Sequence, residues 1–170
     1  MGDQVRGSPL PLSYRGKRVS AAKTRRAEKE TQMISTMTTQ EVRHISVSID
    51  RPPEEVYAFV SDPGNTPKWA SGLGTSIQQV HGEWIADSPM GKVKIKFAEA
   101  NRFGILDHEV VLGSGERINN PMRVIANGSG SEIFFTLIRQ PGMSDEKFAE
   151  DARWVEKDLR NLKGLLEKGI

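Results

Sequence analysis

The chain has 170 residues, of which 36% are hydrophobic and 27% charged, with no Cys and a formal net charge of +2. The lack of Cys excludes disulfides, thiol nucleophiles and thiolate metal sites. No stretch approaches the roughly 18 apolar residues of a membrane span, and no apolar signal segment follows Met1. We therefore expect a cytoplasmic protein without membrane insertion.

The N-terminal segment differs in composition from the rest of the chain. Residues 1–32 carry eight Lys or Arg and three acidic residues, whereas residues 33–170 carry sixteen basic and nineteen acidic residues. The first segment has too few apolar side chains to offset the entropy of ordering. We predict a disordered basic extension over 1–38 and a folded domain over 39–170. A basic arm can contact nucleic acid or an anionic membrane, or act as a targeting peptide, but the absence of interleaved aromatic residues favours an inert extension.

One strand and two short helices are predicted at the start of the domain. Residues 44–49 alternate between polar and apolar side chains, which is the period of a half-buried strand. Pro52 and Pro53 suit a first helical turn, and the apolar spacing of residues 56–60 follows a helix. A second short helical turn is expected at residues 67–69.

A series of strands and a long helix complete the domain. The predicted strands are 76–80, 82–87, 91–99, 105–112, 116–127 and 132–140. In the third, Val93, Ile95 and Phe97 alternate with lysines, which is typical of an antiparallel sheet with one face in water. Ser144 can serve as the N-cap of the helix, in which an apolar stripe begins at Phe148. This stripe is expected to lie on the concave side of the sheet.

This order of elements, with ISVSIDRPPEEVYAFV at 45–60 and DPGNTPKW at 62–69, resembles the START-like (SRPBCC) superfamily, the polyketide cyclase/dehydrase and lipid-transport group. The similarity covers residues 41–168. It implies an α+β helix-grip fold, in which a seven-stranded antiparallel sheet wraps around the C-terminal helix and leaves a cavity for small apolar ligands. The superfamily includes carriers, cyclases and hormone receptors, so the resemblance does not assign a reaction.

Large side chains are candidates for the ligand-binding wall of this cavity. They are Trp69, Trp84, Phe97, Val110, Met122, Phe135 and Trp154. For each of them the alternative is plain core packing. The two tryptophans at 69 and 84 are favoured because an indole N–H needs a partner or an open mouth.

Among the three histidines, His108 is the candidate for catalysis and for ligand binding. Leu106, His108 and Val110 share one face of a predicted strand, so His108 projects into the cavity if that face is concave. It would then serve as an acid, a base or a hydrogen-bond donor. The alternative is a core histidine satisfied by a backbone carbonyl. His44 and His81 are expected to be solvated.

Other kinds of site find less support in the sequence. Met122 and Arg123 point in opposite directions along their strand, so only one of them can face the cavity. Asp107 and Glu109 are a possible carboxylate pair, but we expect both to be exposed. No metal-ligand spacing, phosphate-binding glycine loop or GxSxG motif is present, so neither a metal nor another cofactor is expected.

These patterns favour the binding or transport of a small hydrophobic ligand, such as a lipid or an aromatic or polyketide-like molecule. One alternative is a cyclase/dehydrase-type enzyme without a metal, in which His108 transfers a proton. Another is a protein-interaction module with a filled core. Specific nucleic-acid binding is not expected, and the chain can be a monomer or a homodimer, since edge strands of such a sheet can pair.

Overall fold

A computed structural model describes residues 39–71, 76–88 and 91–169, so the predicted extension over 1–38 lies outside the described residues. The elements are β1 (Val42–Ile49), α1 (Pro53–Val60), a 3₁₀ helix (Pro63–Lys68), β2 (Ile77–Val80), β3 (Glu83–Ser88), β4 (Gly91–Phe97), β5 (His108–Val111), β6 (Arg117–Asn120), β7 (Met122–Asn127), β8 (Gly130–Ile138) and α2 (Asp145–Glu167). This order confirms the α+β class and the two short helices after the first strand.

The described strands form two antiparallel sheets, so the prediction of one seven-stranded sheet is wrong. Their orders are β1-β8-β7 and β2-β3-β4-β5-β6. The prediction counts residues 116–127 as one strand, whereas the structure divides them into β6 and β7 at Pro121. Proline has no N–H to donate to a ladder. Pairing with β5 therefore ends before Pro121, and β7 pairs with β8 instead.

Backbone hydrogen bonds before β5 keep the two sheets in contact. The N–H of Leu106 donates to the carbonyl of Met122 at 2.8 Å, and the N–H of Val124 donates to that of Gly104 at 3.0 Å. Gly104 has a φ of +70°, and a Cβ there would collide with the carbonyl oxygen of Val124. Glycine at this position therefore permits both the turn and the close approach of the chain to β7.

The C-terminal helix α2 has the start and the apolar stripe that its sequence predicts. The hydroxyl of Ser144 accepts a hydrogen bond from the N–H of Lys147 at 3.2 Å, and Asp145 and Glu146 lie in the first turn. Its buried residues are Phe148, Leu159, Leu162 and Leu166. The helix packs mainly against β1. Neither α2 nor any other described helix combines the length and apolarity needed to cross a membrane.

Buried apolar side chains form two clusters. The first joins α1, α2 and the three-stranded sheet, and its residues Val56, Ile133 and Leu162 are completely buried. The second lies on one face of the five-stranded sheet and consists of Ala86, Val93, Ile95 and Val110. Burial of Val93 and Ile95 beside exposed lysines confirms the predicted alternation in β4. Residues of both clusters line one cavity.

Candidate functional site

A cavity of about 460 Å³ is lined by side chains from both sheets, α1, α2 and the segment around the 3₁₀ helix. Pockets for small organic ligands commonly have volumes of about 300–1,000 Å³. Predicted wall residues that line it are Trp69, Phe97, His108, Val110, Met122, Phe135 and Trp154. The cavity is therefore large enough for a small organic molecule and is walled mainly by apolar groups.

Trp69 and Trp84 occupy different places. Trp69 lines the cavity, and its Nε1 is buried without a hydrogen-bond partner among the described residues. Trp84 lies outside the lining, and its ring meets that of Phe97 edge-on, with centroids 6.5 Å apart. Trp84 is opposite Ile95, two positions before Phe97, so it lies on the same face of the sheet as Phe97 and supports this wall residue from the side.

The registers of β4, β5 and β6 place three cavity residues in a row across the sheet. Phe97 is opposite His108, and His108 is opposite Asn120. All three line the cavity. Asn120 is not among the wall residues predicted from the sequence, although the spacing of the strand residues could have identified it. It lies two positions before Met122, so strand alternation places both side chains on the same face.

The imidazole of His108 is held by the backbone and by two aromatic rings. Its Nδ1 lies 3.3 Å from the carbonyl oxygen of Leu106, and its ring centroid lies 5.9 Å from that of Phe97 and 6.1 Å from that of Phe135. Burial lowers the pKa of His108, against the hydrogen bond to Leu106 and the charge of Asp107, which raise it. A neutral imidazole is therefore the favoured form.

The hydrogen bond to Leu106 also determines which ring nitrogen carries the proton. A carbonyl oxygen can only accept, so Nδ1 must donate, and in the neutral ring Nε2 then keeps a free lone pair. No described residue donates a hydrogen bond to this Nε2. The sequence allowed either a core histidine bonded to a backbone carbonyl or a cavity histidine open to a ligand. Nδ1 makes the bond to the carbonyl, and Nε2 remains available on a residue that lines the cavity.

Charged groups of α2 lie along one side of the cavity. Lys147 Nζ pairs with Asp151 at 2.8 Å, and Asp158 accepts hydrogen bonds from Ser71. Trp154, on the same helix, also lines the cavity and is 45% exposed. This side of the cavity is therefore open to solvent. The indole ring of Trp154 is exposed there, among charged side chains that already have partners.

Of the other candidate residues, Met122 and Asp107 line the cavity and the rest do not. Met122 faces it, whereas Arg123 points outward and donates from Nε to the carbonyl of Phe103 at 3.0 Å. Glu109 pairs with Arg117 at 2.8 Å. The remaining histidines, His44 and His81, are exposed. Within the described ranges, no three His, Asp or Glu side chains are grouped so that they could hold a metal ion.

Comparison with known families and structures supports this architecture. A family model described as polyketide cyclase/dehydrase and lipid transport matches residues 40–167. A search of curated proteins finds no match.

Solved structures share the fold at low identity. The Aha1 dimer from Colwellia psychrerythraea is 16% identical, with a TM-score of 0.60 over 76% of this chain and 98% of that one. Ara h 8.0201 is 17% identical, with a TM-score of 0.55 over 73% of this chain and 95% of that one. DynU16, from the dynemicin biosynthetic locus, is 18% identical, with a TM-score of 0.58 over 75% of this chain and 48% of that one. The helix-grip architecture is confirmed, apart from the division into two sheets.

Proposed function

Because the chain belongs to the polyketide cyclase/dehydrase and lipid-transport family, we propose that it binds a small hydrophobic ligand in the cavity between the sheets and α2. The observation that carries this proposal is the cavity of about 460 Å³ with its largely apolar wall. An interaction module with a filled core would not retain such a volume. The proposed role is therefore that of a binding or carrier protein.

The wall supplies the free energy that this role requires. Burial of apolar surface contributes about 25 cal/mol per Å². Phe97, Val110, Met122 and Phe135 offer aromatic and aliphatic surface to a ligand, and Trp154 offers an indole ring at the exposed edge. A flat aromatic or lipid-like molecule would gain contact with these groups without leaving a charge of its own buried.

A cavity-filling substitution tests the proposal. Val110 is buried and lines the cavity. Its neighbour Val111 is not among the residues that line the cavity. We expect Val110→Phe to weaken the binding of a fatty acid, sterol or aromatic polyketide by about tenfold or more, because the new ring occupies ligand space. Val111→Phe adds the same ring outside the cavity and should leave affinity nearly unchanged.

Tryptophan fluorescence measures affinity, and circular dichroism checks the fold of both variants. Unchanged binding by a folded Val110→Phe variant would place the ligand elsewhere. Native mass spectrometry of the purified wild-type protein gives a second measurement. The carrier role loses its support if neither method detects any ligand from the three classes.

A cyclase/dehydrase-type reaction is the second candidate function, and His108 favours it. The free Nε2 of this neutral imidazole can accept a proton from a substrate bound in the cavity. We expect His108→Ala to abolish turnover of an aromatic polyketide substrate while the melting temperature changes by only a few degrees. Parallel loss of turnover and stability would mean that His108 is structural.

A further inference from the structure

On the cavity wall, the Nε2 of His108 and the carboxamide of Asn120 have no hydrogen-bond partner among the described residues. His108 on β5 and Asn120 on β6 are directly opposite each other. Opposed residues of an antiparallel pair share a face, with Cβ atoms about 5 Å apart. Both residues line the cavity, and no described residue bonds to His108 Nε2 or to the carboxamide of Asn120. A ligand can therefore reach two adjacent unpaired groups in an otherwise largely apolar wall.

We infer that His108 and Asn120 together recognise a hydroxyl group on an apolar ligand, that is, a phenol or an aliphatic alcohol. This inference rests on the proposed ligand-binding function and specifies the ligand class. His108 donates from Nδ1 to Leu106, so the atom that approaches Nε2 must be a donor. Asn120 carries an amide N–H donor, which requires an acceptor. A hydroxyl group is both a donor and an acceptor. Its O–H can donate to Nε2 of His108 while its oxygen accepts a hydrogen bond from the amide of Asn120.

Other polar ligand groups match this pair less well. An ether or ketone oxygen has only lone pairs, which would oppose the lone pair of Nε2. A carboxylate likewise has only lone pairs to offer, and it also carries a charge, which is costly to bury without a cationic partner. Lys147 is a cation that lines the cavity, but it already pairs with Asp151 at 2.8 Å. Burial of His108 opposes the protonation that would turn Nε2 into a donor, because it lowers the pKa of the imidazole.

Bicyclic probes of similar size can separate hydroxyl recognition from apolar burial. We would titrate the full-length protein at neutral pH with 2-naphthol, 2-methoxynaphthalene, 2-naphthoate and 2-methylnaphthalene, and follow binding by calorimetry. We expect 2-naphthol to bind about tenfold or more tightly than the other three, because only the hydroxyl satisfies both side chains. Decahydro-2-naphthol, a saturated alcohol, then shows whether a phenol or an aliphatic alcohol is preferred, and a preference for either supports the inference.

Two variants and one control assign the effect to this pair. His108→Phe keeps a ring beside Phe97 but removes the acceptor, and Asn120→Leu removes the amide. Each should reduce the preference for 2-naphthol over 2-methylnaphthalene to within about twofold, while 2-methylnaphthalene still binds. Asn119→Leu is the matched control, because Asn119 is exposed on the other face of β6 and does not line the cavity. It should keep the full preference.

The possible results distinguish this inference from the proposed function. If no probe binds the wild-type protein, the inference fails, while the proposed function is decided separately by the fatty acids, sterols and aromatic polyketides. If the apolar probes bind but 2-methoxynaphthalene binds as tightly as 2-naphthol, the inference is overturned while the proposed function stands. Persistence of the hydroxyl preference in both folded variants also overturns it. Since either variant alone tests the pair, failure of one to fold does not remove the test.

Discussion

The backbone N–H and the hydroxyl of Ser71 both donate to the same carboxylate oxygen of Asp158, at 3.1 Å and 2.6 Å. Ser71 follows the 3₁₀ helix and Asp158 lies on α2, and both residues line the cavity. These two hydrogen bonds therefore tie α2 to the segment beside Trp69. Hydrogen bonds to a charged group are stronger than those between neutral groups.

We expect Asp158→Ala to lower the free energy of unfolding by about 1 kcal/mol, because both bonds are lost from a partly exposed site. The same change should accelerate ligand dissociation, since α2 is less firmly held beside the cavity. Urea unfolding and stopped-flow fluorescence measure the two effects. Glu156→Ala is the control, because among the described residues Glu156 pairs only with exposed Arg160 on the same helix. Equal losses in the two variants would show that the link to Ser71 contributes nothing specific.

Because His108 is buried, we expect the protein to lose stability in mild acid. Its pKa in the folded protein is lowered by burial from the ordinary value of 6.5. Below about pH 6.5 the unfolded chain binds a proton at this histidine while the folded protein does not, so the free energy of unfolding falls as pH decreases. The loss stops only when pH reaches the lowered pKa of the folded protein.

Urea unfolding between about pH 5.5 and about pH 7.5 tests this, with His108→Phe expected to show a flatter profile. His81→Asn is the control, because His81 is exposed and Asn tolerates its φ of +51°. Glu132, whose pKa is lowered by hydrogen bonds from Ser46 and Ser48, contributes only at lower pH, near and below 4.5. An unchanged slope in His108→Phe would mean that another group causes the acid sensitivity.

Gly104 is predicted to tolerate no side chain. Gly104→Ala should destabilise the protein by about 3 kcal/mol or more, because it combines an unfavourable positive φ with a collision at the carbonyl of Val124. Gly115 also has a positive φ, but a Cβ there would meet no atom of the described residues within 4 Å. Gly115→Ala should therefore cost only about 1 to 2 kcal/mol. Comparable losses by chemical denaturation would show that the contact between the sheets at Gly104 is unimportant.

The basic segment over 1–38 carries a separate prediction. Its composition provides little apolar surface for a core, so we expect a chain that begins at Met37 to keep its melting temperature within about 2 °C. Differential scanning calorimetry of the two chains makes the comparison. A large decrease in the shorter chain would mean that the segment contributes to the folded domain.

Individual residues show which features of the fold local sequence patterns can predict. The alternation around Val93 and the cap at Ser144 are local features, so they predict β4 and the start of α2 correctly. The same alternation passes through Pro121 without interruption, which hides the change of pairing partner from β5 to β8. Asn120 could be placed on the face of Met122 by counting, but its opposition to His108 depends on strand register.

The sequence by itself determined the order of the elements apart from the division at Pro121, the family, and the side of β5 on which His108 lies, because these follow from periodicity and from contiguous motifs. Only the tertiary structure decided that this side faces a cavity of about 460 Å³ and that Leu106 holds Nδ1 and leaves Nε2 free. The physical reason is that cavity volume and strand register depend on how segments distant in the chain pack together. A single strand carries no information about the side chains that will stand opposite it.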